Sequence, residues 1–302
     1  MRIVSLLPSA TEIVCELGLG SQLVGVTHEC DHPSFVRSLP KVTRSLMPID
    51  ATSREIDSLV RERLQTERAL YTLDLPLLEQ LRPDLIVTQA LCDVCAVAES
   101  EVLAAARQLP DRPEVLNLEP MTLDEVFECL DLVGQKAGAA SQAAEAVAHL
   151  RSRVEAVERR TQAIRSPLGV VLLEWIDPLF CSGHWTPDLI RLAGGIELIG
   201  KATQPSRQIA WEEVLRADPD AIVIACCGFD VERTRKDLPM LQSQEGFSDL
   251  RCVRSGRVFV VDGNASFSRP GPRLVESLEM LAHTLHPSVH PFPVGNAADR
   301  VK

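Results

Sequence analysis

Aromatic side chains are scarce in this chain: eight Phe, three Trp and one Tyr make up 4% of 302 residues. Several of them gathered at one place would therefore carry weight. An excess of positive charge is also missing, since the formal net charge is −11. A nucleic-acid binder shows a basic face, and here the basic residues are scattered, so no nucleic-acid partner is expected. No apolar run approaches the roughly 18 residues of a membrane helix, which argues against membrane insertion. The opening "MRIVSLLPSATEIV" turns polar at "PSATE", without the long apolar core and small-residue cleavage site of a secretory signal, and no lipidation cysteine stands at its start. The expected location is the cytoplasm. Catalytic patterns are missing too. "GLGSQLVG" ends a helix instead of opening one as a phosphate loop does. Ser5 and Ser9 lack a nucleophile-elbow setting, and Glu174 and Asp177 beside Trp175 define no reaction. The chain does not read as an enzyme.

What is present is alternation. "RIVSLL", "LVGVT", "DLIVTQ" and "PEVLNL" read as strands, and "SATEIVCELGLG", "LPLLEQLRP" and "TLDEVFECLDLVGQKAG" as helices between and after them. This is the pattern of a doubly wound α/β sheet. Ser9 and Thr11 are N-cap candidates for the first helix. From 139 to 164 there is neither Pro nor Gly, and the Ala-, Glu- and Arg-rich composition predicts one long helix. The strand–helix pattern then restarts with "LGVVLLEW" and "TPDLIRLAGG". "LPLLEQLRPDLIVTQ" and "WEEVLRADPDAIVIAC" form a weak internal repeat, helix then Pro-Asp then buried strand. The expected organisation is an N-terminal α/β lobe at 1–138, a connecting helix at 139–164, a C-terminal α/β lobe at 165–287 and a disordered or loosely docked tail at 288–302.

Those segments resemble one family. "SLLPSATEIVCELGLGSQLVGVTHECDHP", with Asp31 and Pro33 closing its last loop, looks like the opening of the substrate-binding proteins that serve ABC importers of cobalamin, haem and iron siderophores. "FCSGHWTPDLIRLAGGIELIG", "QIAWEEVLRADPDAIVI" and "GRVFVVDGNASFSRPGPRLVESLEMLAHTL" continue the resemblance to about residue 286. The cobalamin binders look closest. The resemblance implies two doubly wound lobes joined by a long backbone helix, a ligand cleft between the lobes, and an ABC transporter permease as partner. It also implies docking through one acidic residue per lobe, seven positions before the Pro of each Pro-Asp pair. That position is Glu212 in the second lobe but Pro76 in the first, where Asp74 and Glu79 are near.

Ligands of open α/β sheets sit beyond the carboxyl ends of the strands. The loops "LLPSA", "THECDHP", "TQALCDVC", "EWIDPLFCSGHW" and "ACCGFD" all fall there. Candidate ligand-binding residues are Ser9, His28, Asp31, Trp175, His184, Trp185, Phe267 and Arg269. The aromatics would wall a flat macrocycle and the arginine would meet its polar substituents. Nine cysteines is a high count for this length. Cys30, Cys92, Cys95, Cys226 and Cys227 all lie in these loops, and two readings stay open. They form a soft-ligand patch for Zn²⁺ or an Fe–S unit, or they are small side chains lining an apolar pocket. Cys15, Cys129 and Cys252 read as core.

The leading expectation is a cytoplasmic carrier, scavenger or sensor of a corrinoid or related metal-tetrapyrrole. One alternative is the exported substrate-binding subunit of an importer. Another is a cytoplasmic metalloprotein with a cysteine-ligated Zn or Fe–S site.

Overall fold

The computed structural model describes residues 1–48, 51–65, 70–89, 97–292 and 298–301. Residue contacts divide the chain into two units. One comprises Met1–Pro120 with Asp124–His149, the other Met121–Leu123 with Leu150–Lys302.

The first unit contains β1 (Ile3–Ser5), α1 (Pro8–Glu16), β2 (Leu23–Val26), β3 (Thr43–Ser45), α2 (Ser53–Gln65), β4 (Tyr71–Leu73), α3 (Leu75–Leu81), β5 (Leu85–Thr88), α4 (Glu99–Gln108), β6 (Glu114–Asn117) and most of α5 (Leu123–Lys136). Its main sheet is wholly parallel, in the order β2-β1-β5-β6. Every residue of β1 and β5 is buried, as expected of parallel strands covered on both faces. β3 and β4 pair as a small separate antiparallel ribbon, which the sequence reading did not mark. With three residues each, they are too short to show an alternation.

α1 starts differently from expectation. Pro8 occupies the first turn and Leu7 is the N-cap residue, without a side-chain cap bond. A proline at this position gives up no needed N–H. Ser9 and Thr11 are therefore inside the helix, both buried, and neither caps it. Asp74 does cap α3, accepting from the Leu77 N–H at 3.1 Å.

The long helix, α6, runs Ala140–Thr161. Ala143, Val147, Leu150 and Val157 make its buried stripe at spacings of four, three and seven. The helix contributes to both units, and Arg153 ties its later part to the second unit through a fork of two bonds to Glu279, 3.0 and 2.8 Å.

The second unit contains β7 (Leu168–Trp175), β8 (Phe180–Cys181), α7 (Thr186–Leu192), β9 (Gly195–Glu197), α8 (Trp211–Ala217), β10 (Ala221–Ile224), α9 (Val231–Gln242), α10 (Arg251–Arg254), β11 (Val258–Val260), α11 (Leu274–Leu285) and β12 (Asp299–Arg300). The sheet order is β12-β11-β10-β7-β8, with β9 also parallel to β7. Set beside the first unit, β7, β9, β10 and β11 take the places of β1, β2, β5 and β6. That equivalence is the structural form of the repeated Pro-Asp segment. In each unit the chain leaves its first strand to one side and later strands add on the other. The switch point thus lies between β1 and β5, and between β7 and β10.

The tail departs from expectation. β12 adds antiparallel to β11, and Asp299 bonds Arg235 at 3.0 Å. His290 is buried, with its backbone N–H donating to His286 O at 3.1 Å. The short polar tail holds because β11 offers it a strand edge and α9 a countercharge. Truncation after Pro287 should lower the unfolding free energy by on the order of 1–2 kcal/mol, read as a lower urea midpoint. An unchanged midpoint would mean the tail adds nothing.

Candidate functional site

At the rim of the first unit, three side chains beyond β1 form a buried chain of hydrogen bonds. The Ser5 hydroxyl donates to Leu7 O at 2.9 Å, and Thr11 Oγ1 donates to Ser5 Oγ at 2.8 Å. Cys30 Sγ lies 3.0 Å from Thr11 Oγ1. Thr11 has spent its one proton on Ser5, so in this contact Cys30 must donate. Across the switch point, Thr88 Oγ1 and Gln89 Oε1 are buried without a hydrogen-bond partner among the described residues. Buried polar groups left open in this way are characteristic of a place where a ligand completes the set.

His28 follows β2. Its ring Nδ1 is 2.8 Å from Thr43 Oγ1, its backbone N–H donates to the same oxygen at 3.1 Å, and Thr27 Oγ1 is 2.7 Å from Thr43 Oγ1. The ring faces Tyr71 with centroids 5.5 Å apart. Partial burial, and next the Lys41 charge, hold the imidazole below its ordinary pKa, so it is neutral near pH 7. Asp31 accepts the Arg37 Nε–H on its backbone oxygen at 3.1 Å, so part of its role is to shape the loop. Ser9 is buried on α1. Cys92 and Cys95, with Asp93 between them, lie outside the described residues.

At the second rim the structure rearranges the expected roles. Trp185 is only 6% exposed, and its indole N–H donates to Phe267 O at 3.0 Å. Phe267 is itself buried. These two aromatics brace the start of α7 against the turn after β11 and offer no open face. Arg269 is also buried, its Nη2 donating to Asn264 Oδ1 at 3.1 Å across that turn. His184, half-buried, has φ 51° and accepts the Thr203 N–H on its carbonyl at 3.0 Å. Burial depresses its pKa.

The open aromatic surface comes from residues the sequence reading weighted less or missed. Trp175 ends β7 half-buried and meets Phe229 at a tilt of 36°, centroids 4.6 Å apart. Arg233 lies over the same phenyl ring at 4.2 Å and also bonds Asp237 at 3.0 Å. A strand-end Trp, a loop Phe and a guanidinium thus gather as one half-buried cluster beside the switch point. Phe229 lies in the "ACCGFD" loop, only two residues after the cysteines that drew attention to it.

Those cysteines split. Cys226 is in the core of the second unit, 1% exposed, and burial pushes its thiol up to about 12. Cys227 is exposed. With one thiol in the core and the other in the exposed turn after β10, the pair does not form one ligand face. Among the described residues no group of three or more His, Cys, Asp or Glu could hold a metal ion. Seven cysteines fall among the described residues, and Cys15, Cys129 and Cys252 also have thiols raised by burial.

A further feature emerges only in three dimensions. Glu174 accepts from Gly183 N at 3.2 Å and from the Ser206 hydroxyl. Glu197 accepts from the N–H groups of Leu172, Ile199 and Gly200 and from Ser182 Oγ, at 3.0–3.2 Å. Two carboxyl groups therefore clamp the segment 182–183 from both sides. Gly183 permits it, because a Cβ there would fall 2.5 Å from Gln204 O and Ser206 N. Burial, with Glu197 adding to it, raises Glu174 to about 7.

The profile described as periplasmic binding protein matches residues 3–265, and the chain belongs to that family. It is similar to the Bacillus subtilis ABC transporter substrate-binding lipoprotein YvrC, 25% identical over 299 residues, or 95% of this chain and 80% of the relative. It is also similar to a vitamin B12-binding protein of Vibrio cholerae, 24% identical over 283 residues, or 93% of this chain and 87% of the other. Among solved structures, a periplasmic heme binding protein from Pseudomonas aeruginosa superposes with a TM-score of 0.74. It is 23% identical and covers 100% of this chain and 98% of that one, a likeness of fold. The chain is a ligand-binding protein of the periplasmic-binding type.

The Glu174 clamp makes a pH prediction. Its folded pKa lies above the ordinary 4.5. The proton held by the folded state thus stabilises it fully below about 4.5, and this contribution is lost as pH rises through about 7. Glu174→Gln, which mimics the protonated acid, should match the wild type near pH 4.5. At pH 8 it should be more stable by on the order of 2 kcal/mol. Urea melts across that range would show it, and parallel curves would refute the buried-acid account.

Proposed function

We propose that this chain binds a corrinoid of the cobalamin kind or a related metal-tetrapyrrole, and that it does so without catalysing a reaction. The observation that carries this reading is the Trp175–Phe229–Arg233 cluster. An aromatic face suits a flat macrocycle, and the guanidinium suits the amide or carboxylate substituents at its edge. The open polar atoms of Thr88 and Gln89 supply further hydrogen-bonding capacity on the first rim. The similarity to the Vibrio cholerae vitamin B12-binding protein and the Pseudomonas aeruginosa heme binding protein supports the same ligand class.

The proposed setting is the cytoplasm, where the protein acts as carrier, scavenger or sensor. Nine cysteines, several held as buried thiols, suit a reducing compartment. The second reading, the exported substrate-binding subunit of an ABC importer working with a permease, is favoured by the similarity to YvrC. It is also favoured by exposed Glu212 in the first turn of α8. Fractionation of the native host decides between them. Recovery of the mature chain from the cell surface or periplasm would overturn the cytoplasmic setting and leave the ligand class untouched. A Zn or Fe–S site requires metal in the purified protein without added ligand, which elemental analysis measures.

Titration with cyanocobalamin, diaquocobinamide and haemin tests the ligand class directly. Trp175→Ala should weaken the preferred ligand by about 2 kcal/mol, as removal of an aromatic anchor does. Trp185→Ala should instead act mainly on stability, because its ring is buried and its N–H is spent on Phe267. Equal affinities for Trp175→Ala and wild type would remove the cluster from the site.

A further inference from the structure

We propose that Asp237 is a positioning residue of the second rim. It pins Arg233 over Phe229 and offsets its charge, so that the Trp175 cluster selects macrocycles edged with neutral carboxamides over macrocycles edged with carboxylates. The proposal rests on the corrinoid or tetrapyrrole reading above and names the substituents that this site accepts.

The pairing on α9 carries it. Arg233 and Asp237 stand one helical turn apart, so their side chains share a face of the helix. Arg233 Nη1 donates to Asp237 Oδ2 at 3.0 Å. The Asp237 side chain is 12% exposed and the Arg233 side chain 25%. Both charges have left most of their water, and either one alone would be costly there. The base of the arginine is fixed as well. Asp230 caps α9 by accepting the Arg233 backbone N–H at 2.7 Å. From that first turn the side chain lies across the loop after β10, with Cζ 4.2 Å from the centre of the Phe229 ring. The loop itself is tied down, because Phe229 O accepts the Asn264 N–H at 3.1 Å. Phe229 then meets Trp175, and Asp177 O accepts the Trp175 indole N–H at 3.0 Å. Asp237 thus ends a chain of contacts that reaches the aromatic anchor.

The consequence is electrostatic. An amide oxygen asks its site only for a hydrogen-bond donor. A carboxylate also asks for positive charge, to offset the water it loses. At this cluster the positive charge of Arg233 is already met by Asp237, and a second carboxylate brought to the same guanidinium would be repelled by the first. The carboxyl groups on either side of Trp175 in the chain, Glu174 and Asp177, bring no compensating charge. What the cluster offers a ligand edge is therefore a held dipole instead of a net cation.

Two corrinoids with one ring and different edges test this. Dicyanocobinamide carries carboxamides, and dicyanocobyrinic acid carries carboxylates in their place. Cyanide occupies both faces of the cobalt in each, so axial bonding does not enter the comparison. The ratio of their affinities at neutral pH is the readout. The wild type should prefer the carboxamide form. Asp237→Asn keeps the size and the acceptor for Arg233 but removes the charge, and should move the ratio about tenfold toward the carboxylate form. Arg233→Gln should move it the other way, since Asp237 is left as an unbalanced acid. A purely structural role would weaken both corrinoids alike and leave the ratio where it was. An unchanged ratio in either folded variant, or a wild-type preference for the carboxylate form, overturns the proposal while the ligand class stands. Should Asp237→Asn fail to fold, the wild-type preference and Arg233→Gln decide by the same criteria. Failure of the wild type to bind these two corrinoids, cobalamin and haemin alike overturns the ligand class and this proposal together.

Discussion

A parallel sheet covered on both faces has no surface on which to place polar chemistry. Every side chain along β1, β5 and β10 is committed to burial, and a charged or hydrogen-bonding group there would have to be matched inside the core. The only exits are the carboxyl ends, where the chain must turn into a loop before its next helix. Both units obey this constraint with the same strand order. Each therefore has one rim at its switch point, and the functional candidates fall on those rims because nothing else is available. The repeated Pro-Asp segment is a consequence of the same arrangement. Its helix and strand have to reproduce the buried face, while the loops after the strand are free to differ.

The second rim shows what holding such loops costs. The 182–183 segment is anchored by two half-buried carboxyl groups instead of by backbone pairing alone. Glu197 has four donors, and burial still raises its proton affinity. Glu174 has two, and its proton affinity rises to near neutrality. The clamp also explains why Trp185 is not an open anchor. Once Gly183 is seated against Gln204 and Ser206, α7 begins at once, and the indole has only the buried side on which to pack. The π-turn after β11 completes the brace, since Gly263 approaches the Cys226 carbonyl so closely that a Cβ would sit 2.2 Å from it.

Much of the fold could be read in the sequence, because it is written in periodicity and punctuation. Pro83 and Pro219 preceded buried strands, the Gly-free stretch after residue 138 became α6, and the family resemblance agreed with the matched profile. The rims were less legible. Periodicity says that Cys226 and Cys227 lie at a strand end, but not which of them turns inward. Without a register the pair was read as one face. Trp175 and Trp185 stand ten residues apart near the same rim, and only the hairpin of β7 with β8 decides which ring stays open. Phe229 was passed over because its loop was judged by its cysteines. Glu197 and Glu174 are distant in sequence and meet through a loop closure that no spacing rule describes. The tail, left in the sequence between disorder and loose docking, pairs at residues 299–300 with the open edge of β11.

The two rims also differ in chemistry. The first is built from hydroxyls, a thiol and an imidazole: Ser5, Thr11, Cys30, Thr27, Thr43 and His28. The second is built from rings and a guanidinium: Trp175, Phe229 and Arg233. An aromatic cluster rewards any planar apolar ligand and so gives affinity with little selectivity. The β3–β4 ribbon has a role on the first rim despite its small size. It carries Thr43 on one strand and Tyr71 on the other, and so fixes both the hydrogen-bond acceptor and the aromatic neighbour of His28 from outside the main sheet.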